Sequence, residues 1–396
     1  MYEEIKKLFL DTYGRSADAV FSAPGRTEIG GNHTDHQLGR VLAGAVSVDT
    51  VAAVSPNSEG IIRVLSEGYP LCTIDLKDLA IHPEEFGSTA ALIRGVAAGI
   101  TEMGHSVTGF DAVARSRVLP GSGLSSSAAF EVLIGTIINH LDACGLNAIQ
   151  IAQLGQYAEN TYFGKPCGLM DQMASSVGGI VTIDFADRDK PLVEPLDFDF
   201  AACGHALCIV NSGADHADLT DEYAAIPREM AAVSAVFGKT HLRQVDEAEF
   251  YARLPEVRAA AGDRAALRAM HFFNDNRLVS LEVDALRAGD FTRFLELVKE
   301  SGRSSWLYLQ NVVPAGHTAH QELAVALALA LADHLLDGRG ACRVHGGGFA
   351  GTIQAFVPLD LLEEFRTGME AVLGEGSCQV LSIRPEGGVL LEEVKK

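Results

Sequence analysis

At 396 residues, 47% of them hydrophobic and 21% charged, the chain has the composition of a globular protein with a substantial core, and its length suggests two or three domains. A formal net charge of −21 argues against non-specific binding to nucleic acid or anionic membrane, which demands clustered Lys and Arg. Seven scattered cysteines without C-x-x-C spacing argue against a zinc site or a disulfide framework. Charged residues among the first ten argue against a secretory leader, and the longest apolar run, Leu323 to Ala332, is too short for a bilayer. The expectation is a soluble protein of the reduced cytoplasm, a monomer or weak homodimer.

In chain order, Ile5, Leu8, Phe9 and Tyr13 share a helical face that Gly14 ends. Ala19 to Ser22 is strand-like, broken by a turn at Ala23-Pro24-Gly25. Segments 41–55 and 60–75 mix Val and Ile with small residues and read as strands joined by hairpins. Residues 90–103 read as helix and 108–118 as strand; helices follow at 125–142, 149–163 and about 168–176. After the strand-like Gly179 to Phe185, the charged, Pro-containing 186–198 predicts a boundary near residue 200, dividing the chain into 1–200 and 201–396. Strand 205–211, several helices between 220 and 336, and an alternating tail (341–345, 352–357, 360–372, 379–394) complete the second half. Leu323–Ala332 alternates as a strand would, but Ala and Leu are strong helix formers and the length suits a buried helix. The sum is two α+β domains whose glycine-rich pieces face a shared cleft.

Four segments carry chemistry. Pro120-Gly121-Ser122-Gly123-Leu124-Ser125-Ser126-Ser127 precedes an apolar helical run, so its glycines can close the backbone around an anion while hydroxyls and unpaired helix-terminal amides face it. A plain loop with a serine N-cap would give the same letters, and no Gly-Lys-Ser/Thr follows, so this is not a Walker A loop. The second segment is Pro24-Gly25-Arg26 with Gly31-Asn32-His33-Thr34-Asp35-His36. It gathers the polar groups that a polyhydroxylated ligand requires, beside a cation suited either to phosphate oxygens or to holding a carboxylate ionised. In the third, Glu159 and Asp171 flank a Gly- and Pro-broken turn that can put one carboxylate on a metal and the other at a substrate hydroxyl. In the fourth, Gly346, Gly347, Gly348 and Gly351 are poor for helix or strand, as where a backbone passes close to something or turns in a tight hairpin.

In this order and spacing the four segments resemble the galactokinase, homoserine, mevalonate and phosphomevalonate (GHMP) kinases, and within them the galactokinases. Asn211-Ser212, Tyr223 ahead of Arg228, and Arg268-Ala269-Met270-His271 add to the likeness, which runs from about residue 20 to 358. The resemblance implies an N-terminal domain like the second domain of ribosomal protein S5, a ferredoxin-like C-terminal domain, and a site between them that uses ATP and Mg²⁺. It implies that Gly121, Ser122, Gly123, Leu124, Ser125, Ser126 and Ser127 wrap the phosphates and that Ser127 or a neighbouring hydroxyl holds the metal with Glu159. Asp171 would be the catalytic aspartate beside an anomeric C1 hydroxyl and Arg26 its partner. Asn32, His33, Asp35, Gly168 and Tyr223 would meet the sugar, with Gly346, Gly347 and Gly348 shaping the cleft.

The chain also departs from the family pattern. Asn32 stands where a glutamate is usual, His36 where a tyrosine is, Thr27-Glu28 where Val-Asn is, and Ala350 where glycine is common; acidic residues are missing around Leu307 to Val312. An amide in place of a carboxylate weakens a sugar contact by about 1 kcal/mol or more. The expectation is therefore intact phosphoryl transfer with a shifted sugar preference. The competing readings are a kinase for arabinose or a 6-modified galactose, and a sugar sensor without transfer. The sensor is disfavoured because Arg26, Asp171 and the serine loop are all present.

Overall fold

The computed structural model describes residues 2–118, 121–214, 219–314 and 323–393; Pro120, at the head of the glycine loop, lies outside them. The strands are β1 (Ala19–Gly30), β2 (Arg40–Pro56), β3 (Ile61–Ser66), β4 (Cys72–Asp75), β5 (Phe110–Ser116), β6 (Ile180–Asp184), β7 (Leu192–Leu196), β8 (His205–Asn211), β9 (Ala341–His345), β10 (Thr352–Pro358), β11 (Cys378–Leu381) and β12 (Val389–Glu393). They form two sheets, one ordered β12-β1-β2-β5-β3-β4 with β6 and β7 branching from β2, the other β11-β8-β10-β9.

The period-two pattern decides what each face of the first sheet meets. Ala19, Phe21, Ala52 and Val54 pack on Ile93, Val96, Ile134, Ile137 and Leu154 of the helices Thr89–Glu102, Ser126–Leu141 and Ala148–Tyr157. The alternate residues Val20, Val51, Ala53 and Val113 meet Ile5 and Phe9 of the helix Tyr2–Tyr13. In the second sheet, Ala206, Cys208 and Val210 face the helices Ala324–Leu336 and Leu362–Leu373. Leu207 and Ile209 turn the other way, toward Phe291, Phe294 and Leu297 of the helix Phe291–Ser304. That inner layer also takes in Ile29, Leu42, Val46 and Ile180 from the first sheet, so one apolar seam joins the halves. The second sheet is antiparallel throughout, and its order, with a helical crossover on each side of the β9-β10 pair, is ferredoxin-like. No described helix is long and apolar enough to cross a membrane.

Three expectations need correction. The chain does not turn at Ala23-Pro24-Gly25: β1 runs on to Gly30 and absorbs the proline as a register shift between Pro24 and Arg26. Past that shift the Arg26 amide donates to Leu124 O at 3.0 Å, so the irregularity joins the strand to the glycine loop. Strands β2 and β3 are not a hairpin, because β5 lies between them and runs parallel to β3. Segment 379–394 is two strands: β11 stays in the second sheet, whereas β12 crosses back to pair with β1. The alternating Leu-Ala run is helical, from Ala324 to Leu336.

Candidate active site

The helix Ser126–Leu141 begins without a cap. Ser125 holds the N-cap position in the left-handed region at φ 58°, yet its side chain makes no capping bond. Its hydroxyl instead donates to Asp171 Oδ2 at 2.5 Å. The first-turn amides are therefore open, with the positive end of the helix dipole facing the loop, the arrangement that receives an anion. The loop is pinned at its middle. Gly123 O accepts from Arg26 Nη1 at 2.5 Å, and a Cβ on Gly123 would sit 2.2 Å from Thr352 Oγ1 in the second sheet, so no larger residue fits there.

Asp171 stands in the first turn of the helix Met170–Val177, where Arg26 Nε donates to its Oδ1 at 2.6 Å. The Arg26 side chain is 7% exposed and that of Asp171 is 36% exposed, so the arginine is fixed and the carboxylate opens outward. Burial alone would push the Asp171 carboxyl up, but the Arg26 charge, its hydrogen bond and that of Ser125 outweigh burial and hold it below its ordinary value. Asp171 is an ionised, oriented acceptor rather than a strong base.

Glu159 lies beside it. The helix through Ala148–Tyr157 widens over Ala158–Phe163 and stops at Gly164 (φ 79°), a local irregularity of the kind found at functional sites. Ser127 Oγ donates to Glu159 Oε1 at 3.3 Å, and Lys165 Nζ approaches the same oxygen at 3.4 Å. Behind them, the Gln172 amide donates to both Glu159 Oε2 (2.8 Å) and Glu131 Oε2 (3.0 Å). Burial, then the Glu159 charge, pushes the Glu131 carboxyl well up. Glu159 is thereby held from below while its other oxygen faces the loop. A carboxylate converging with a hydroxyl offers hard oxygen donors that fit Mg²⁺, an ion that takes few protein ligands and completes its shell with water and phosphate. The described residues hold no cluster of three or more His, Cys, Asp or Glu able to bind a metal by themselves.

Among the residues expected to meet the sugar, Asp35 meets Gly168: a Cβ there would fall 1.6 Å from Asp35 Oδ2, so the carboxylate reaches its place only across a glycine. Burial, then the neighbouring Asp171 charge, raises the Asp35 carboxyl to about 6. His33, at φ 57°, donates from Nε2 to Gly347 O at 3.1 Å, and burial pushes its imidazole down to about 4, so it is neutral at pH 7. Tyr223 donates to Gly348 O at 2.8 Å and lies against Gly347, so the glycine run and the tyrosine form one wall. The His36 ring nitrogens are buried without a hydrogen-bond partner among the described residues.

Asn32 is the exception among the residues expected to meet the sugar. It is fully buried, and its side-chain amide donates to Glu28 Oε1 (2.9 Å) and Gly346 O (2.7 Å). Its Oδ1 accepts from Asn311 (2.8 Å) and Ser305 (3.3 Å), which leaves nothing for a ligand. The expectation that Asn32 touches the sugar is corrected: it locks the loop to the glycine run. Relative to the family pattern, the carboxylate and the amide have exchanged positions 28 and 32. Glu28 brings the carboxyl into the same cluster, where burial raises it to about 7 against the pull of the fully buried Arg343 with which it pairs.

Sequence reasoning missed Glu131, Lys165 and Gln172, although Lys165 lies between Glu159 and Asp171 and Gln172 directly follows Asp171. It also missed the Glu28–Arg343 pair, whose signal was an arginine set among apolar residues of a strand.

Residues 7–56 match the model of the galactokinase galactose-binding signature, and 89–179 match that of the GHMP kinases N terminal domain. A galactokinase from Streptomyces coelicolor is 34% identical over 349 residues, 87% of this chain and 86% of the relative. Among solved structures, Lactococcus lactis galactokinase complexed with galactose superposes with a TM-score of 0.84 at 23% identity, over 98% of this chain and 100% of that one. A mevalonate kinase superposes at 0.66 and 13% identity, over 93% and 99%. The chain belongs to the galactokinase family of the GHMP kinases.

Proposed function

We propose that this chain transfers the γ-phosphoryl group of ATP to the anomeric C1 hydroxyl of galactose, giving galactose 1-phosphate. The observation that carries the reading is Asp171, held by Arg26 and Ser125 at the open end of the helix that follows the glycine loop. Residues 121–127 receive the phosphates. Asp171 accepts the hydrogen bond of the C1 hydroxyl and aims its oxygen at the γ-phosphorus. Arg26 keeps that aspartate ionised and offsets charge on the transferred group. Phosphoryl transfer asks mainly for such positioning and charge compensation. Mg²⁺, held by Ser127 and Glu159, would supply further charge compensation at the phosphate oxygens. Asp35 and His33 recognise sugar hydroxyls, with Gly168, Tyr223 and Gly346 to Gly348 forming the walls. The domains divide near residue 200, with β12 returned to the first. The protein works in the cytoplasm as a monomer or weak homodimer.

The test is ADP formation with galactose, 2-deoxygalactose, fucose, arabinose, glucose and mannose, with Asp171→Asn as control. Turnover on galactose that vanishes in the variant supports the assignment; no turnover on any sugar, with sugar still bound, overturns it. The exchange between positions 28 and 32 removes the main support for a shifted sugar preference, because Asn32 faces the protein interior.

A further inference from the structure

Glu159 Oε1 has a second neighbour that none of these roles uses. Lys165 Nζ stands 3.4 Å from it, while Ser127 Oγ stands 3.3 Å from the same oxygen. The ammonium is therefore no further from the Ser127 hydroxyl than those two contacts laid end to end, at the helix end whose amides are open. The root of the side chain is fixed: the Lys165 amide donates to Glu159 O at 3.1 Å, just past the reversal at Gly164. The stem is not, since 65% of the Lys165 side chain is exposed, whereas that of Glu159 is 4% exposed. Arg26 and Lys165 both act on Asp171 as cations, and Arg26 is already committed to Asp171 and to Gly123 O. A nucleotide entering here brings several negative charges to a site that already holds Asp171 and Glu159. A divalent ion on Glu159 would also repel an ammonium that shares its oxygen.

We propose that Lys165 is a second phosphate-binding cation: it is the counter-ion of Glu159 in the free protein and passes to the phosphate oxygens when metal and nucleotide bind. The proposal rests on reading 121–127 as the phosphate loop. It predicts two opposite effects of removing one charge. Without its competitor, Glu159 binds a metal ion more tightly; without its cation, the site binds nucleotide less tightly. A merely structural lysine produces no such opposition.

The experiment uses the full chain and its Lys165→Met, Lys165→Arg and Glu159→Gln variants. Mn²⁺ alone is titrated by electron paramagnetic resonance, and adenylyl imidodiphosphate with Mg²⁺ by calorimetry. Lys165→Met is expected to tighten Mn²⁺ binding several-fold and to weaken nucleotide binding by about tenfold, the worth of one charge-assisted hydrogen bond, with Lys165→Arg recovering most of the nucleotide affinity. Unchanged nucleotide affinity or unchanged Mn²⁺ affinity in Lys165→Met overturns the proposal. If Glu159→Gln weakens Mn²⁺ binding while Lys165→Met alters neither titration, the lysine assignment alone falls. If Glu159→Gln leaves both titrations unchanged, the reading of the site falls with it.

Discussion

Glu282 offers a direct check on how burial governs this chain. It is fully buried, neither carboxyl oxygen has a hydrogen-bond partner among the described residues, and a Cβ on Gly30 would fall 1.9 Å from its Oε2. Burial first, then the nearby Asp275, raises it to about 8, with Arg343 pulling the other way and Glu28 adding to the rise. The folded protein therefore keeps this proton up to about pH 8, while the unfolded chain releases it near the ordinary glutamate value of 4.5. Between those limits the folded state binds more protons, so stability falls as pH rises, by about 1.4 kcal/mol per unit. Unfolding entropy near 2.1 cal/mol/K per residue converts that into roughly 1.5–2 °C of Tm per pH unit for a chain of this length. Glu282→Gln removes the titration. The Tm difference between variant and wild type, followed by calorimetry from pH 5 to 8, should grow in favour of the variant at that rate. Asp35 and Glu131, which do not act on Glu282, are the same in both proteins and cancel in the difference. Parallel Tm curves would refute the reasoning.

Other outcomes follow from the site. Asp171→Asn should lower kcat by at least ~10³-fold while leaving sugar affinity, read by calorimetry, within a few-fold, because the group orients the nucleophile rather than building the pocket. Gly168→Ala drives a methyl into Asp35 and should raise KM for galactose about tenfold or more with KM for ATP little changed; equal rises in both would refute the placement. Asp35, raised to about 6, loses its acceptor role on protonation, so kcat/KM for the sugar should fall as pH drops through 6. A flat profile down to pH 5 would count against it.

Much of this was legible in the letters because several roles are local. An open helix start needs Gly, Ser and an apolar run in sequence, and Ser125 to Leu141 display it. The long-range pairings were not legible. Nothing in Ala23-Pro24-Gly25 says that the chain continues as a strand; the register shift becomes reasonable only once Leu124 O is present to accept the Arg26 amide. Asn32 looked like a ligand because a loop rich in polar residues reads as a binding loop. Its fate was set by Glu28, Ser305, Asn311 and Gly346, all but the first more than 270 positions away in the chain. Lys165 carried no signal for a similar reason: one lysine in a turn is usually only solvated, and its distance to Glu159 comes from the fold.

The return of β12 to the side of β1 bears on how the protein is made. The strand that delivers Arg26 has β2 on one flank and β12 on the other, so its second flank stays open until residue 393 has left the ribosome. Until then Ala19, Val20, Phe21 and Ser22 present unpaired backbone to any passing strand, the geometry from which edge-to-edge aggregation starts. Chaperone dependence during synthesis, and sensitivity to truncation beyond residue 388, should therefore track the closing of this one seam.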